Sequence, residues 1–265
     1  MESLKLLALA ITQGLSELLP ISSSAHLILL GHVVDIPTST LLLTSLHIGT
    51  TIAILVFFWK KLFSKFFTKE KWNFYFKIIV SVIPSGILGV LFESKIEEVL
   101  RADWIIAASL IFWGIIMLIA QRRKDTDEHV ADMENITWQQ SLLMGFAQAI
   151  ALIPGTSRSG VTTLAGIALG LNKYTAFEYS LVLGLPVLMG SSAWTIYQEI
   201  TDHGLAAPSG ISDYLNLGII ILVPFIVGCI SLMFLKKISK DKWLSLFGIY
   251  RIVLGVAVLV IAYLL

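Results

Sequence analysis

Apolar runs of similar length follow one another along this chain of 265 residues. A helix needs about 20 mostly apolar residues to cross the roughly 30 Å hydrocarbon layer of a bilayer. Only 14% of the residues are charged, whereas soluble domains carry about 25%. We therefore predict an all-α polytopic membrane protein with six transmembrane helices, at residues 41–59, 74–92, 104–120, 175–197, 215–235 and 244–264.

Two further apolar stretches, residues 4–34 and 141–171, are each interrupted near the middle by polar residues. The interruptions read LPISSSAH at residues 19–26, here called the first knot, and IPGTSRSG at residues 153–160, the second knot. Proline breaks a helix, and clustered serines compete for its backbone hydrogen bonds. Neither stretch is therefore expected to span the membrane as one continuous helix.

The distribution of lysine and arginine indicates the orientation of the loops. Basic residues concentrate at 60–71, 122–124 and 236–242, whereas residues 93–103 and 198–214 contain more acidic than basic side chains. Because lysine and arginine favour the cytoplasmic side, the three basic segments are predicted to lie inside. This assignment holds only if the stretch that contains the second knot enters the membrane and returns as a re-entrant helical hairpin.

The two halves of the chain also match each other. A shift of 135 residues aligns Gln13 with Gln148, and Gly49 with Gly184. We predict one membrane domain, 1–265, built as an inverted-topology repeat, with repeat one at about 1–120, repeat two at about 136–265 and a basic cytoplasmic linker at about 121–140. Inverted repeats with broken helices bind their ligands near the midplane. The two re-entrant hairpins are expected to meet there tip to tip.

The two knots combine the features of an anion site. Second half-helices are expected to begin near Ser23 and Ser159, which would direct their free N–H groups and positive dipole ends at the centre. Ionisable side chains at this depth are costly and are functional by default. Here they are Glu17, His26 and Arg158, a set that suits phosphoryl chemistry.

Each of these side chains has a structural interpretation beside the functional one. Arg158 carries the planar donor fork that matches phosphate oxygens, but it could also pair with Glu17 or Glu178 for structure alone. His26 suits a nucleophile or a general acid and base, or it is an interfacial histidine with a satisfied hydrogen bond. Gln13 and Glu17 share a helix face, where a carboxylate could orient the histidine or hold a divalent cation.

Other polar residues are given mainly structural roles. The serines at 22–24 are helix caps, phosphate ligands or, for one of them, a nucleophile, and capping is the favoured role for any single serine. His32 and His47 lie in apolar segments and are interpreted as packing or interface residues. Structural ion pairing is the favoured interpretation of Glu178 and Arg251.

Two segments, QGLSELLPISSSAH at residues 13–26 and PGTSRSGVTT at residues 154–163, resemble the signature regions of undecaprenyl-diphosphate phosphatases of the bacitracin-resistance type. The resemblance extends over nearly the whole chain and includes IYR at residues 249–251. It implies an integral membrane phosphatase that hydrolyses undecaprenyl diphosphate to the monophosphate and inorganic phosphate. The lipid carrier is thereby reused for cell-wall and glycan synthesis, and the activity confers resistance to bacitracin.

By motif position, the resemblance implies catalytic roles for Glu17, Ser23, His26 and Arg158. It implies substrate binding by a second set, formed by Gln13, Ser22, Ser24, Ser157, Ser159 and Thr162. Gln13 stands where some family members have glutamate, which weakens any mechanism that needs two carboxylates there. The resemblance also implies a divalent cation, Mg²⁺ or Ca²⁺, with Glu17 as its expected protein ligand and most of its coordination left to substrate phosphates and water.

Location and partners follow from the same resemblance. We expect a multi-pass protein of the plasma (inner) membrane whose active site opens to the extracytoplasmic face. The expected partners are a polyprenyl diphosphate lipid, membrane lipids and, as an open alternative, a second copy in a homodimer, but no nucleic acid. The rival hypothesis is a transporter or flippase of polyprenyl phosphate, since inverted repeats with midplane hairpins are transporter anatomy.

Overall fold

A computed structural model describes residues 2–36, 39–99, 102–123, 132–203, 211–238 and 242–264. Every regular element in these ranges is helical, which confirms the predicted all-α class for them. A 3₁₀ turn, Met133–Asn135, separates the sixth and seventh α-helices. In chain order the α-helices are α1 (Glu2–Ser16), α2 (Ser23–Val34), α3 (Thr40–Phe57), α4 (Trp59–Phe63), α5 (Lys69–Val99), α6 (Asp103–Gln121), α7 (Trp138–Ile150), α8 (Arg158–Ala168), α9 (Lys173–His203), α10 (Ile211–Ile238) and α11 (Trp243–Leu264).

Five helices in the described ranges are long and apolar enough to cross a membrane, judged by length and composition. The predicted run at residues 41–59 is divided, because α3 ends at Phe57 and the short α4 begins at Trp59. Its apolar part, Leu41–Phe57, is shorter than the five. The chain is a multi-pass membrane protein whose candidate spans are Lys69–Phe92, Asp103–Gln121, Lys173–Asp202, Tyr214–Lys237 and Trp243–Ala262.

Both predicted interruptions are present in the structure. α1 ends at Ser16 and α2 begins at Ser23, while α7 ends at Ile150 and α8 begins at Arg158. Within each gap a proline lacks the backbone N–H that a continuous helix needs. The predicted starts of the second half-helices, near Ser23 and Ser159, are therefore confirmed to within one residue.

The residue before each second half-helix has an unusual backbone conformation. Ser22 precedes α2 with φ 73°, and Ser157 precedes α8 with φ 71°. Residues other than glycine rarely adopt positive φ. Each hydroxyl accepts a hydrogen bond from a backbone N–H of the first turn, that of Ala25 at 3.5 Å and that of Gly160 at 3.2 Å. The two serines are equivalent under the predicted shift, so the knots share one local structure.

Each broken stretch folds back as a pair of helices. Gln140 near the start of α7 donates to the carbonyl of Leu169, just beyond α8, at 3.2 Å, so these two helices run antiparallel. α1 packs against α2, where Leu9 and Ala10 join Leu27 in one apolar cluster. Both knots therefore lie at the turn of a helical pair.

Contacts between helices repeat from one half of the chain to the other. α1 packs against α10 and α7 packs against α5, while α3 packs against α9 and α6 against α11. Under the predicted shift, α1 corresponds to α7 and α5 to α10, so the contact of α1 with α10 is the counterpart of the contact of α7 with α5. The other two contacts each join a helix to its own counterpart, because α3 corresponds to α9 and α6 to α11. Glycines allow α1 to approach α10 closely and α7 to approach α5 closely. A Cβ at Gly14 would lie 2.6 Å from that of Val227 in α10, and one at Gly145 would overlap the backbone of Ser81 in α5.

Contacts at the helix ends show where each helical pair begins. Ser3, at the start of α1, donates to the side chain of Asn216, near the start of α10, at 3.0 Å. Trp138, at the start of α7, donates to Asn73, near the start of α5, at 3.1 Å. Each first half-helix therefore starts beside the start of a long helix from the other half.

The two charged residues interpreted as ion-paired have different partners. Glu178 in α9 pairs with Lys61 at 2.6 Å, which confirms its predicted role. Arg251 in α11 is fully buried, and no carboxylate among the described residues pairs with it. Its guanidinium donates instead to the carbonyl of Pro20 at 3.1 Å and to those of residues 155 and 156 at 2.6 and 2.9 Å. Non-helical carbonyls need donors at membrane depth, and Arg251 supplies them to both knots.

Candidate active site

A cavity of about 300 Å³ lies where the two knots meet. Its walls come from both knots and from α3, α5, α7 and α9. The structure therefore gathers residues from both halves of the chain around one space. The predicted site residues that line it are Glu17, Ser22, Ser23, Ser24, Ser157, Arg158 and Ser159.

Glu17 connects the two knots through its carboxylate. The residue follows α1 and is only 6% exposed. Its Oε1 accepts a hydrogen bond from Nη2 of Arg158 at 2.8 Å, and its Oε2 accepts one from the hydroxyl of Ser23 at 2.5 Å. Nε2 of His47 in α3 lies 3.2 Å from the same Oε2. One carboxylate thus contacts a potential nucleophile, a cation and an imidazole.

Arg158 is the first residue of α8, and its guanidinium reaches across the cavity to Glu17. Nη1 donates to the carbonyl of Ser180 in α9 at 3.2 Å, whereas Nε has no hydrogen-bond partner among the described residues. Nε is buried, and a buried guanidinium donor without a partner is a candidate ligand for an anionic oxygen that enters the neighbouring cavity. The guanidinium occupies space that Gly184 leaves open, because a Cβ there would overlap it.

The serines of the knots have different roles in the geometry. Ser23 begins α2, where the helix dipole favours negative charge, and its hydroxyl donates to the carboxylate described above. A hydroxyl bonded to a carboxylate has a base for its proton, which suits a nucleophile. Ser22 is a cap whose hydroxyl lies 3.2 Å from that of Ser24, and the hydroxyls of Ser157 and Ser159 repeat this pair at 3.4 Å.

His26 does not line the cavity. Its Nδ1 is 2.8 Å from the carbonyl of Ser22, and its Nε2 is 2.6 Å from the hydroxyl of Tyr250 in α11. The imidazole and phenol rings stack with 4° between their planes. Both ring nitrogens are therefore engaged outside the space where Glu17 and Arg158 meet, as in the structural interpretation of this histidine.

Two predicted substrate-binding residues also lie outside the cavity lining. Thr162 is fully buried and donates to the carbonyl of Arg158 within α8 at 2.7 Å. Gln13 is fully buried in α1, where its amide nitrogen lies 3.4 Å from Oε2 of Glu17 and 3.5 Å from the hydroxyl of Thr50. Gln13 thus supports the carboxylate from behind, and Thr162 supports the helix turn that carries Arg158.

Among the cavity residues that the sequence prediction missed, His47 and Gln148 bear on the chemistry of the site. His47, to which its apolar run assigns a packing role, lines the cavity beside Glu17. Gln148 in α7 also lines it; its amide nitrogen donates to Ser85 at 3.1 Å, and its amide oxygen has no partner among the described residues. The sequence contained an indication of a site role for both residues. His47 is an ionisable residue within an apolar run, which is costly at membrane depth, and Gln148 aligns with the predicted site residue Gln13.

These residues are a poor fit to a metal held by protein alone. No group of three or more histidine, cysteine, aspartate or glutamate side chains occurs in the searched, described residues. The expected ligand, Glu17, already has both carboxylate oxygens in contact with other side chains. A divalent cation here would depend mainly on oxygens supplied by a substrate and by water.

Fold and cavity together define a class of protein. This is a helical membrane protein in which a serine hydroxyl, a carboxylate, an arginine and two helix N-termini surround space for an anionic group. The family model described as bacitracin resistance protein BacA matches residues 6–257. The chain belongs to this family.

Relatives from distant organisms match almost the whole chain. A protein of Clostridioides difficile named undecaprenyl-diphosphatase 1 is 34% identical, over 100% of this chain and 98% of its own length. An undecaprenyl-diphosphatase of Methanococcus aeolicus is 36% identical, over 98% of both chains. One from Campylobacter jejuni is 36% identical, over 96% of this chain and 92% of its own length.

Proposed function

We propose that this protein is a phosphatase that hydrolyses undecaprenyl diphosphate, or a related polyprenyl diphosphate, to the lipid monophosphate and inorganic phosphate. The observation that carries the proposal is the set of contacts around Glu17, which lies 2.5 Å from the hydroxyl of Ser23 and 2.8 Å from Arg158. A nucleophile, its base and a phosphate ligand are thus within reach of one another. The family and the names of the relatives support the same substrate.

In the proposed first step, Arg158 and the N-termini of α2 and α8 bind the terminal phosphate. The hydroxyl oxygen of Ser23 attacks its phosphorus while the hydroxyl proton passes to Glu17. The bond from phosphorus to the bridging oxygen breaks, and the lipid monophosphate leaves with the proton that Glu17 returns. The terminal phosphoryl group remains on Ser23.

In the second step, water attacks the phosphoserine and gives one proton to Glu17. The bond between phosphorus and the serine oxygen breaks, and that oxygen takes the proton back from Glu17. Inorganic phosphate is released, and the starting hydroxyl and carboxylate are restored. The same carboxylate serves both steps because it touches Ser23 directly.

A divalent cation, Mg²⁺ or Ca²⁺, is proposed to enter with the diphosphate rather than to reside in the protein. The poor fit of the cavity residues to a metal cage supports this division. The cation would neutralise phosphate charge. Phosphate release should then fall when a chelator is added and return with excess Mg²⁺ or Ca²⁺, in proportion to the cation–diphosphate complex. Activity at full chelation would contradict the proposal.

We propose that α1–α2 and α7–α8 are re-entrant hairpins beside six spans, with repeats of opposite topology and the cavity open to the extracytoplasmic side of the plasma membrane. The contacts at the helix starts support this arrangement. α1 starts beside α10, through Ser3 and Asn216, and α7 starts beside α5, through Trp138 and Asn73. Because α10 and α5 are predicted to cross the membrane in opposite directions, the two hairpins would enter from opposite sides. The prenyl tail would stay in the lipid while the diphosphate enters the cavity.

The test is phosphate release from the purified protein in detergent, with farnesyl and undecaprenyl diphosphates as substrates. Ser23→Ala and Glu17→Gln should each abolish release, whereas Ser39→Ala, at the N-cap of α3, should not. Release from both cavity variants at the wild-type rate would contradict the assignment. Absence of release from the wild-type protein with either lipid and added cation would contradict the phosphatase itself.

A transporter of polyprenyl phosphate is the second candidate, favoured by the matching contacts of α1 with α10 and of α7 with α5. Such matching allows two alternative openings of one cavity. Reconstituted vesicles separate the two functions, because a transporter moves labelled polyprenyl phosphate between leaflets even when Ser23→Ala has removed the nucleophile. Translocation that this variant retains would support transport beside, or instead of, hydrolysis.

A further inference from the structure

His47 lies on α3 and lines the cavity together with residues of both knots. Its side chain is 21% exposed, and Nε2 is 3.2 Å from Oε2 of Glu17. The other ring nitrogen is buried without a partner among the described residues. The polar contact of this histidine is therefore with the same carboxylate that accepts a hydrogen bond from the hydroxyl of Ser23.

The two oxygens of Glu17 have separate partners. Oε1 accepts from Arg158 Nη2. Oε2 is contacted by Ser23 and His47, and by the amide nitrogen of Gln13 at 3.4 Å. Arg158 therefore contacts the carboxylate through one nitrogen only. The adjacent nitrogen on the same edge of the guanidinium, Nε, has no partner in the described chain.

An arginine and a carboxylate usually prefer the bidentate arrangement, in which adjacent guanidinium nitrogens each donate to one oxygen. Glu17 could reach that arrangement by rotating its carboxylate so that Oε2 approaches Arg158 Nε. Rotation would withdraw Oε2 from Ser23 and would occupy the Nε donor that a phosphate oxygen needs. A group that donates to Oε2 in its present position opposes this rotation.

We infer that His47 is a positioning residue that holds Oε2 of Glu17 on Ser23 and away from Nε of Arg158. It acts by hydrogen bonding from Nε2 and needs only the proton on that nitrogen, so both the neutral Nε2–H tautomer and the doubly protonated ring suffice. The inference rests on the proposed phosphatase reaction for its effect on turnover. Its effect on phosphate binding follows from the geometry alone.

The test compares His47→Ala with His47→Gln. Glutamine keeps an N–H donor of similar reach, whereas alanine removes it. We expect His47→Ala to lower kcat by about 10- to 100-fold, the size of effect seen when a reacting group is misplaced, and His47→Gln to stay within about threefold of the wild type. His32→Ala, a histidine outside the cavity, is the matched control and should leave kcat unchanged.

A second measurement uses inorganic phosphate, added as a binding probe. His47→Ala should bind it about tenfold more weakly, because Glu17 then covers the Nε donor of Arg158. Replacing Arg158 by lysine removes the bidentate edge. In that background His47→Ala should weaken phosphate binding by less than about threefold, because lysine offers no second nitrogen to the carboxylate.

The outcomes separate the inference from the proposed function. If the wild-type protein releases no phosphate from the lipid, the phosphatase proposal fails, and the binding comparison still decides the role of His47. If His47→Gln is as inactive as His47→Ala, positioning is overturned in favour of proton transfer by the imidazole. Unchanged phosphate affinity in a folded His47→Ala protein, checked by its melting temperature, would also overturn it.

Discussion

Glu17 illustrates how one residue links several functions at the residue scale. Its burial would be costly for an unpaired carboxylate, and Arg158 at 2.8 Å offsets that cost. The pairing that the sequence suggested as a structural alternative is therefore real. It coexists with the proposed catalytic arrangement, because the second carboxylate oxygen still reaches Ser23.

Replacing Arg158 by lysine should lower kcat by at least about 100-fold, the loss seen when one donor to a developing anion is removed. Lysine keeps the charge but lacks the planar fork that contacts Glu17 through one nitrogen and leaves another for phosphate. Phosphate release at saturating lipid measures the effect. Arg122→Lys, an exposed residue after α6, is the matched control and should behave like the wild type.

Replacing Gly184 by alanine should lower the activity without removing any polar group. The added Cβ would overlap the guanidinium of Arg158 and force it out of its position. We expect a loss of activity of more than about tenfold and a destabilisation of about 1–3 kcal/mol from overpacking. Gly190→Ala lies on the same helix with open space around it, so it should keep full activity. Equal activity in both variants would contradict the steric explanation.

At the scale of the element, the N-termini of α2 and α8 are built alike. Each has a serine cap with positive φ, and that conformation turns the chain sharply between two half-helices. The turn places the next residue, Ser23 or Arg158, at the first helical position beside the cavity. Backbone strain at the two caps thus accompanies the placement of two proposed catalytic side chains, as is common at functional sites.

Replacing Ser157 by alanine should destabilise the protein by about 0.5–2 kcal/mol, because it removes the cap hydrogen bond while the strained Cβ at positive φ is present in both residues. Ser157→Gly should cost less, since glycine tolerates this conformation. Thermal unfolding in detergent provides the comparison. Ser39 caps α3 with an ordinary φ of −62°, and alanine there should cost a similar amount, about 1 kcal/mol. A Ser157→Gly protein no more stable than Ser157→Ala would argue against strain at the knot.

At the scale of the whole molecule, neither half of the chain contains the complete site. The first half supplies Glu17, Ser23 and His47, and the second supplies Arg158. Ser23 and Arg158 are equivalent under the shift, each at the start of its second half-helix. The proposed nucleophile therefore comes from one helical pair and the proposed phosphate ligand from the other, and the cluster forms only where the two halves of the chain meet.

Cysteine labelling tests the membrane arrangement in a Cys229→Ser background. Cysteines at Gln139 and Ala168, the two ends of the α7–α8 pair, should react with an impermeant reagent from the same side as one at Lys65. A cysteine at Tyr214 should react from the opposite side. If positions 139 and 168 reacted from opposite sides, the hairpin would be wrong and the stretch would cross the membrane.

The sequence predicted the helices well because the length of an apolar run and the positions of prolines act locally. The starts of α2 and α8 came within one residue of the prediction. The predicted span at 41–59 is longer than the helix observed there. The hydrophobic run continues past Phe57, but α3 ends at that residue and α4 begins at Trp59. Composition does not show such a break, because both sides of it are apolar.

By itself, the sequence determined the helical membrane class, the two interruptions and the residues, among them Glu17, Ser23 and Arg158, from which a phosphate site could be made. Only the tertiary structure decided which of these share the cavity, because that depends on the rotation of each helix against its neighbours. It placed His26 against Tyr250 and Thr162 within its own helix, and it brought His47 to Glu17. Such contacts join residues far apart in the chain, and their physical cause is helix packing rather than any local pattern.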